Sequence, residues 1–130
     1  MIEAYSNNID VAAGSSIPLN NVSLQAGSTV TLVGASTVRL NCPGIYCISM
    51  DGYAEPSEAG DVTIQLVKDG INLTQAVSTF TGATGDSNTF HFDAKVKIPC
   101  QCAVPSEIQF LNSGVGVTGL HINVSVTKIK

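Results

Sequence analysis

Charged side chains are scarce in this 130-residue chain, where Asp, Glu, Lys and Arg make up only 12% of the residues. Ordinary soluble domains carry about 25%. Six basic residues stand against ten acidic ones, which gives a net charge of -4 at pH 7. A protein that binds a polyanion without regard to sequence needs a surplus of positive charge to neutralise phosphates. The composition therefore disfavours nucleic acid, and we expect no nucleic-acid partner.

Long apolar runs are also missing. No stretch approaches the ~20 consecutive apolar residues that cross a bilayer, so we expect no membrane insertion. Residues 1–16 carry Glu3 and Asp10 and lack the apolar run of about 7 to 15 residues that a secretory signal peptide needs. We therefore expect synthesis in the cytoplasm without a signal peptide. The same residues 1–16 are expected to form an N-terminal arm or an edge strand.

Helical periodicity is absent as well, and short apolar-polar alternations take its place along the chain. Clusters of Gly, Pro, Asn, Asp and Ser separate these alternations. That pattern is typical of an all-β sandwich or barrel. Domains usually contain about 100 to 200 residues, and the chain shows no repeat, linker or compositional break, so we expect a single domain over residues 1–130.

Several segments predict individual strands and turns. The segment from Phe90 to Ile98 alternates apolar and polar residues throughout, which predicts a half-buried strand. Asp69-Gly70 is a strong signal for a tight hairpin, with a return strand over Ile71 to Phe80. Residues 55–61 are expected to form a loop. The segment from Ile17 to Leu24 also alternates and is expected to be extended.

The apolar members of these alternations predict the hydrophobic core. A slip of one residue in register would turn every such side chain to the opposite face of its strand, so the assignment follows directly from the spacing. The predicted core consists of Tyr46, Ile48, Met50, Val62, Ile64, Leu66, Phe90, Phe92, Val96, Ile108, Phe110, Ile122, Val124 and Val126.

Residues suited to catalysis are few. The only two histidines, His91 and His121, fall on the polar sides of predicted strands. No nucleophile elbow, zincin or phosphate-binding motif accompanies them. A nucleophilic site would also need a hydroxyl or thiol beside the histidine and an orienting acid behind it. We therefore expect no enzymatic activity and no catalytic residues.

Metal and disulfide sites are left open by the sequence. Cys42 and Cys47 form a C-x4-C pair, and Cys100 and Cys102 form a C-x-C pair. Free thiols are the expectation in a reducing cytosol, with disulfides formed after release and a structural zinc as alternatives. An acidic segment (Asp51, Glu55, Glu58 and Asp61) is expected to be solvated, with calcium binding as the alternative. We expect no cofactor.

Four segments resemble a known family. Gly44 to Ser49 (GIYCIS), Ile64 to Gly70 (IQLVKDG), the Phe90 to Ile98 strand and the final strand from Leu120 to Ile129 are similar to the ten-stranded jelly roll of the tumour necrosis factor and complement globular-head superfamily. The resemblance covers about Ile17 to Lys130. It is nearest to the short bacterial and bacteriophage members, which include virion decoration proteins, fibre heads and exosporium tips.

The resemblance implies a homotrimer of antiparallel jelly-roll sandwiches, each with two five-stranded sheets. It implies a non-enzymatic structural role on a phage or bacterial surface particle, with capsid or tail proteins as further partners and a virion or particle surface as the final location. A module that recognises a carbohydrate, such as a cell-surface glycan, or a receptor is the alternative. The resemblance would place His91 and His121 near a threefold axis. The favoured expectation is that both histidines are solvated or hydrogen-bonded on the strand face, and the alternative is that three copies hold an anion or metal there. The expected trimer interface is Tyr5, Cys47, Ser49, His91, Asp93, His121, Asn123 and Ser125.

Overall fold

The computed structural model describes residues 1–130 and consists almost entirely of β-strands. One short 3-10 turn, Gln101–Ala103, is the only helical element, and no helix is long and apolar enough to cross a bilayer. The strands are β1 Ile2–Val11, β2 Asn21–Gln25, β3 Val30–Val33, β4 Thr37–Leu40, β5 Gly44–Pro56, β6 Gly60–Lys68, β7 Ile71–Gly82, β8 Asn88–Ile98, β9 Ser106–Asn112 and β10 Val117–Lys128.

The strands form two antiparallel five-stranded sheets that pack as a jelly-roll sandwich. The first sheet has the order β2-β1-β10-β5-β8, and the second has the order β3-β4-β9-β6-β7. The predicted all-β jelly roll is confirmed. The prediction that residues 1–16 form an arm or edge strand is wrong, because β1 lies between β2 and β10 and bonds to both.

The core lies between the two sheets and forms one cluster of 28 buried apolar residues. Every residue of the predicted core is buried, and none of these side chains exceeds 5% exposure. Period-2 alternation explains this result, because β5 and β8 turn alternate side chains inward along their whole length. Tyr46 is fully buried in β5, and its hydroxyl donates a hydrogen bond of 2.6 Å to the Cys42 carbonyl oxygen.

The connections between strands agree only in part with the sequence predictions. Asp69-Gly70 forms the expected hairpin between β6 and β7, and both residues have a positive φ, 50° and 82°. The loop expected over residues 55–61 is shorter, because β5 continues through Pro56 and β6 begins at Gly60. Only three residues, 57–59, therefore connect β5 to β6.

The segment from Ile17 to Leu24 is divided rather than continuous. Ile17 and Leu19 are buried in the core, but they precede β2. Val22 and Leu24 lie in β2, where they are 46% and 43% exposed. The alternation predicted the burial of the first pair and not the exposure of the second, because β2 lies at the edge of its sheet.

The cysteines depart from the expectation of four free thiols. Cys100 and Cys102 form a disulfide across the 3-10 turn, with their Cα atoms 5.2 Å apart. Cys42 and Cys47 are free and partly buried. No group of three or more His, Cys, Asp or Glu side chains is arranged to hold a metal ion.

Candidate functional site

The outward surface of the first sheet, here called the polar face, carries all eight residues of the expected trimer interface. The residues come from β1, β5, β8 and β10, which lie side by side in this sheet. Their alternate neighbours in each strand point into the core, so the polar face follows from the same period-2 pattern that built the core. No other strand covers this surface within the chain.

Strand register aligns these residues in rows across the sheet. One row crosses β1, β10, β5 and β8 and consists of Tyr5, Asn123, Asp51 and His91, each opposite the next. A neighbouring row joins Ser125, Ser49 and Asp93 in the same way. The Ser49 hydroxyl donates a hydrogen bond to the Asp93 carboxylate.

His121 is held by three neighbours at one end of the polar face. Its Nδ1 lies 3.1 Å from the Asn7 amide oxygen, and its Nε2 lies 3.2 Å from the Asn123 amide nitrogen. Both hydrogen bonds are made when the ring proton is on Nδ1. The imidazole also stacks on Tyr53, with 5.2 Å between ring centroids and 15° between the planes. These contacts occupy both ring nitrogens of His121.

A shallow depression of about 200 Å³ lies in the middle of the polar face. Its lining is mainly small and polar, with Ser23, Ser49, Asn123 and Ser125 joined by the carboxylates of Glu3 and Asp51. Such a surface offers many hydrogen-bonding groups and little bulk. It is therefore suited to close contact with another polar surface.

The polar face does not assemble a catalytic group. Cys47 lies opposite Lys95 and Thr127, not opposite a histidine. The Ser49 hydroxyl is bonded to Asp93, and both His121 nitrogens are bonded to amides. What the arrangement can do chemically is accept and donate hydrogen bonds to a docked surface.

The acidic segment is dispersed by the strands, which removes the basis for a calcium site. Asp51 lies within β5 on the polar face. Glu55 accepts a hydrogen bond of 2.7 Å from the Gly85 backbone N–H, and Asp61 accepts one of 2.5 Å from the Thr81 hydroxyl. Because the carboxylates turn to separate partners, they do not converge on one cation.

The expected interface left out several residues of the polar face, among them Glu3, Asp51 and Tyr53. Glu3 lies opposite Ser125, Asp51 lies opposite Asn123, and Tyr53 lies opposite His121. The signal was present for all three, because Asp51 and Tyr53 continue the alternation that starts at Cys47 and Ser49. Glu3 lies two residues before Tyr5 in β1 and therefore shares its face.

Two titratable groups away from the polar face have shifted pKa values. Burial raises the pKa of Tyr46. Burial would also raise the pKa of Asp69, but hydrogen bonds from the Glu107 N–H and the Ser106 hydroxyl, together with Lys68, outweigh it and lower that pKa below its usual value. Both groups serve the fold, because each is bonded to neighbouring backbone or side chains rather than to an open site.

Comparisons with known proteins give a fold but no close relative. No protein-family model and no curated protein matches the sequence. Among solved structures, the globular domain of zebrafish complement 1qA protein has a TM-score of 0.73 at 9% identity, covering 99% of this chain and 96% of that one. Eiger TNF from S. frugiperda has a TM-score of 0.74 at 12% identity, covering 99% and 92%. The chain has the jelly-roll fold of tumour necrosis factor and complement globular heads.

The same jelly roll is found in a protein of a different description. PRD1 vertex protein P5 matches with a TM-score of 0.61 at 12% identity, over 99% of this chain and 96% of that one. At sequence identities this low, the similarity between this chain and these solved structures shows a shared fold and nothing more. The particular role therefore depends on the surface residues of this chain.

Proposed function

We propose that this jelly roll is a non-enzymatic structural protein that forms a homotrimer and decorates or tips a phage or bacterial surface particle. The observation that carries the proposal is the uncovered polar face, on which the residues of the expected interface lie together. The fold similarity to a vertex protein supports a place on a particle. The resemblance of the sequence to short phage and bacterial jelly rolls supports the same role.

The polar face is suited to a contact between copies of the chain. Its small side chains, such as Ser49 and Ser125, allow the backbone of a neighbour to come close. A two-fold dimer would use the same patch on both partners. A trimer instead joins two different surfaces of the chain, and it closes into a ring when each copy is rotated by a third of a turn from the next. A permanent contact of this kind should bury well over ~1,000 Å².

Light scattering during size-exclusion chromatography tests the trimer directly. We expect a mass three times that of the 13.5 kDa chain at micromolar concentration. A stable mass of a single chain would refute the trimer and the structural role that depends on it. Immunogold labelling of purified particles from the encoding organism tests the location, and recovery of the protein only in the particle-free fraction would contradict it.

A recognition module is the second candidate, and the Tyr53–His121 pair is the observation that favours it. Tyr53 is 46% exposed, and aromatic rings beside amides and acids are the usual setting for a bound sugar ring. Asn123 and Asp51 supply the amide and the acid on the same face. A glycan array with wild type and Tyr53→Ala tests this function: loss of a specific signal in the variant would support it, and no signal in wild type would exclude it for the glycans tested.

A further inference from the structure

Two connections cross between the sheets side by side at one end of the sandwich. The β4–β5 connection leads from the second sheet to the first, and the β8–β9 connection leads from the first sheet back to the second. The strands that they join are paired in both sheets, because Gly44 lies opposite Ile98 and Leu40 lies opposite Ser106. The short β4–β5 connection therefore runs beside the longer one from one sheet to the other.

Three of the four cysteines lie in these connections. Cys42 is the middle residue of the β4–β5 connection, residues 41–43, and Cys100 and Cys102 lie in the β8–β9 connection, residues 99–105. Cys100 and Cys102 form the disulfide, whereas Cys42 is a free thiol. A free thiol and a disulfide are the two reactants of thiol–disulfide exchange.

The register of β5 with β8 relates Cys42 to Cys100. When it is continued past its last pair, it puts Pro43 opposite Pro99 and then Cys42 opposite Cys100. The prolines have no N–H, so no ladder hydrogen bond from them fixes the spacing of the two connections. Opposite residues of antiparallel strands have Cα atoms about 4.5 to 5.5 Å apart, within the range of about 4.4 to 6.8 Å that a disulfide spans. A small approach of the two connections would therefore bring Cys42 and Cys100 within disulfide distance.

The two connections differ in how they are held. The Cys42 carbonyl oxygen accepts the 2.6 Å hydrogen bond from the hydroxyl of the fully buried Tyr46. The turn that carries the disulfide is held by local backbone hydrogen bonds, such as the one of 3.0 Å from the Ala103 N–H to the Cys100 carbonyl oxygen. Segments with few bonds to the rest of a fold open at low cost. The β8–β9 connection is thus the one that moves, and Cys42 is the anchored reactant.

We propose that these three cysteines form a disulfide-exchange site, in which Cys42 moves the bridge from Cys100–Cys102 to Cys42–Cys100. The Cys42 thiolate attacks the Cys100 sulfur, and the old S–S bond breaks with its electron pair left on the Cys102 sulfur. Cys102 takes up one proton for the one that Cys42 gives up, so no oxidant or reductant is consumed. Cys102 is exposed, and its released thiolate is hydrated.

The exchange changes what the bridge connects. The Cys100–Cys102 bond joins residues two positions apart within one connection. The Cys42–Cys100 bond would link the two connections to each other, and it would leave an exposed thiol at Cys102 that can react with an alkylating agent or with a disulfide of another protein. Cys47 takes no part, because it lies on the polar face opposite Lys95 and Thr127. It therefore provides the matched control.

Alkylation of the folded, non-reduced protein with N-ethylmaleimide at pH 8 in thiol-free buffer tests the proposal, with peptide mapping under non-reducing conditions as the readout. Alkylation is irreversible, so the rate at which Cys102 is labelled reports the exchange even when the exchanged form is a minor species. We expect Cys47→Ser to label at Cys102 within about twofold of the wild-type rate and Cys42→Ser to label at least about tenfold more slowly. Wild-type chains labelled at Cys102 should carry the Cys42–Cys100 bond.

A second pair of variants tests the geometry without relying on Cys42→Ser alone. With oxidised glutathione, Cys102→Ser should form an intramolecular Cys42–Cys100 bond, whereas Cys102→Ser with Cys42→Ser should stop at a mixed disulfide with glutathione. Equal labelling of Cys102 in wild type and Cys42→Ser would overturn the proposal. So would a Cys102→Ser protein in which Cys100 becomes linked to glutathione or to Cys47 instead of Cys42.

Discussion

The Asp69 carboxylate accepts a hydrogen bond of 2.8 Å from the backbone N–H of Glu107. It also accepts one of 2.6 Å from the Ser106 hydroxyl. These bonds tie the β6–β7 hairpin to the start of β9, which is the neighbour of β6 in the second sheet. Asp69 therefore holds the hairpin turn in place, and its backbone also adopts the positive φ that the turn requires.

Replacement of Asp69 should make the protein less stable at neutral pH. The folded state lowers the pKa of this carboxyl, so its contribution is complete above the unfolded value of 3.8 and is lost as the pH falls through the lower folded value. We expect Asp69→Asn to reduce the free energy of unfolding by about 1 kcal/mol at pH 7. Urea denaturation at pH 7, 5 and 3 should show the difference from wild type shrinking only at the lowest pH. Glu58→Gln, an exposed acid without a partner, serves as the control; a difference independent of pH would contradict the assignment.

Substitution at Gly52 should disrupt the first sheet. A Cβ at this position would run into the His121 carbonyl oxygen and come within 2.9 Å of the Phe90 ring. We expect Gly52→Ala to cost about 3 kcal/mol, the upper part of the range for overpacking. Gly34→Ala is the comparison, because Gly34 has a φ of 66° but open space around it. Gly52 is not among the glycines with a positive φ, so its loss would come from the collision alone. If Gly52→Ala lost no more stability in thermal unfolding than Gly34→Ala, the collision would be contradicted as a large effect.

Loss of the Gln65 amide should loosen β7. Gln65 is 8% exposed, and its amide nitrogen donates hydrogen bonds of 2.5 Å to the Leu73 carbonyl oxygen and 3.2 Å to that of Ala76. These carbonyls lie where the register between β6 and β7 shifts. We expect Gln65→Met to cost about 2 kcal/mol, because buried carbonyls lose their partner. Hydrogen exchange should accelerate over residues 72–77, and Gln101→Met, at an exposed position, should change neither quantity.

A bulky cation in the polar face should dissociate the trimer. Ser125 lies near its middle, opposite both Ser49 and Glu3. We expect Ser125→Arg to shift the mass in light scattering toward a single chain, because the long arginine side chain occupies the space of the neighbouring copy. Gln75→Arg adds the same charge on exposed β7 and should remain trimeric. A Ser125→Arg protein that stays trimeric would place the interface elsewhere.

The sequence predicted the interior of the fold better than its edges. Alternation determined the buried members of β5, β8 and β10, since one face of each strand is apolar and no other register buries it. The burial of Gln65 could not be predicted, because it depends on carbonyls that only the irregular pairing of β6 with β7 exposes. The position of β1 inside its sheet likewise depends on long-range pairing. For the polar face, alternation predicted which side chains of each strand point away from the core, and the resemblance to the jelly-roll family supplied which strands share one sheet.

The edge strand β8 has a consequence for the behaviour of the protein when it is crowded. This strand of 11 residues ends its sheet, and an open edge of that length is a template on which other chains can add as strands. Its outward positions carry His91, Asp93, Lys95 and Lys97 between buried apolar residues. A copy added parallel and in register would place each of these side chains beside its own equivalent and so bring like charges together. The same side chains that make one face polar thus protect the folded protein from aggregation at high local concentration.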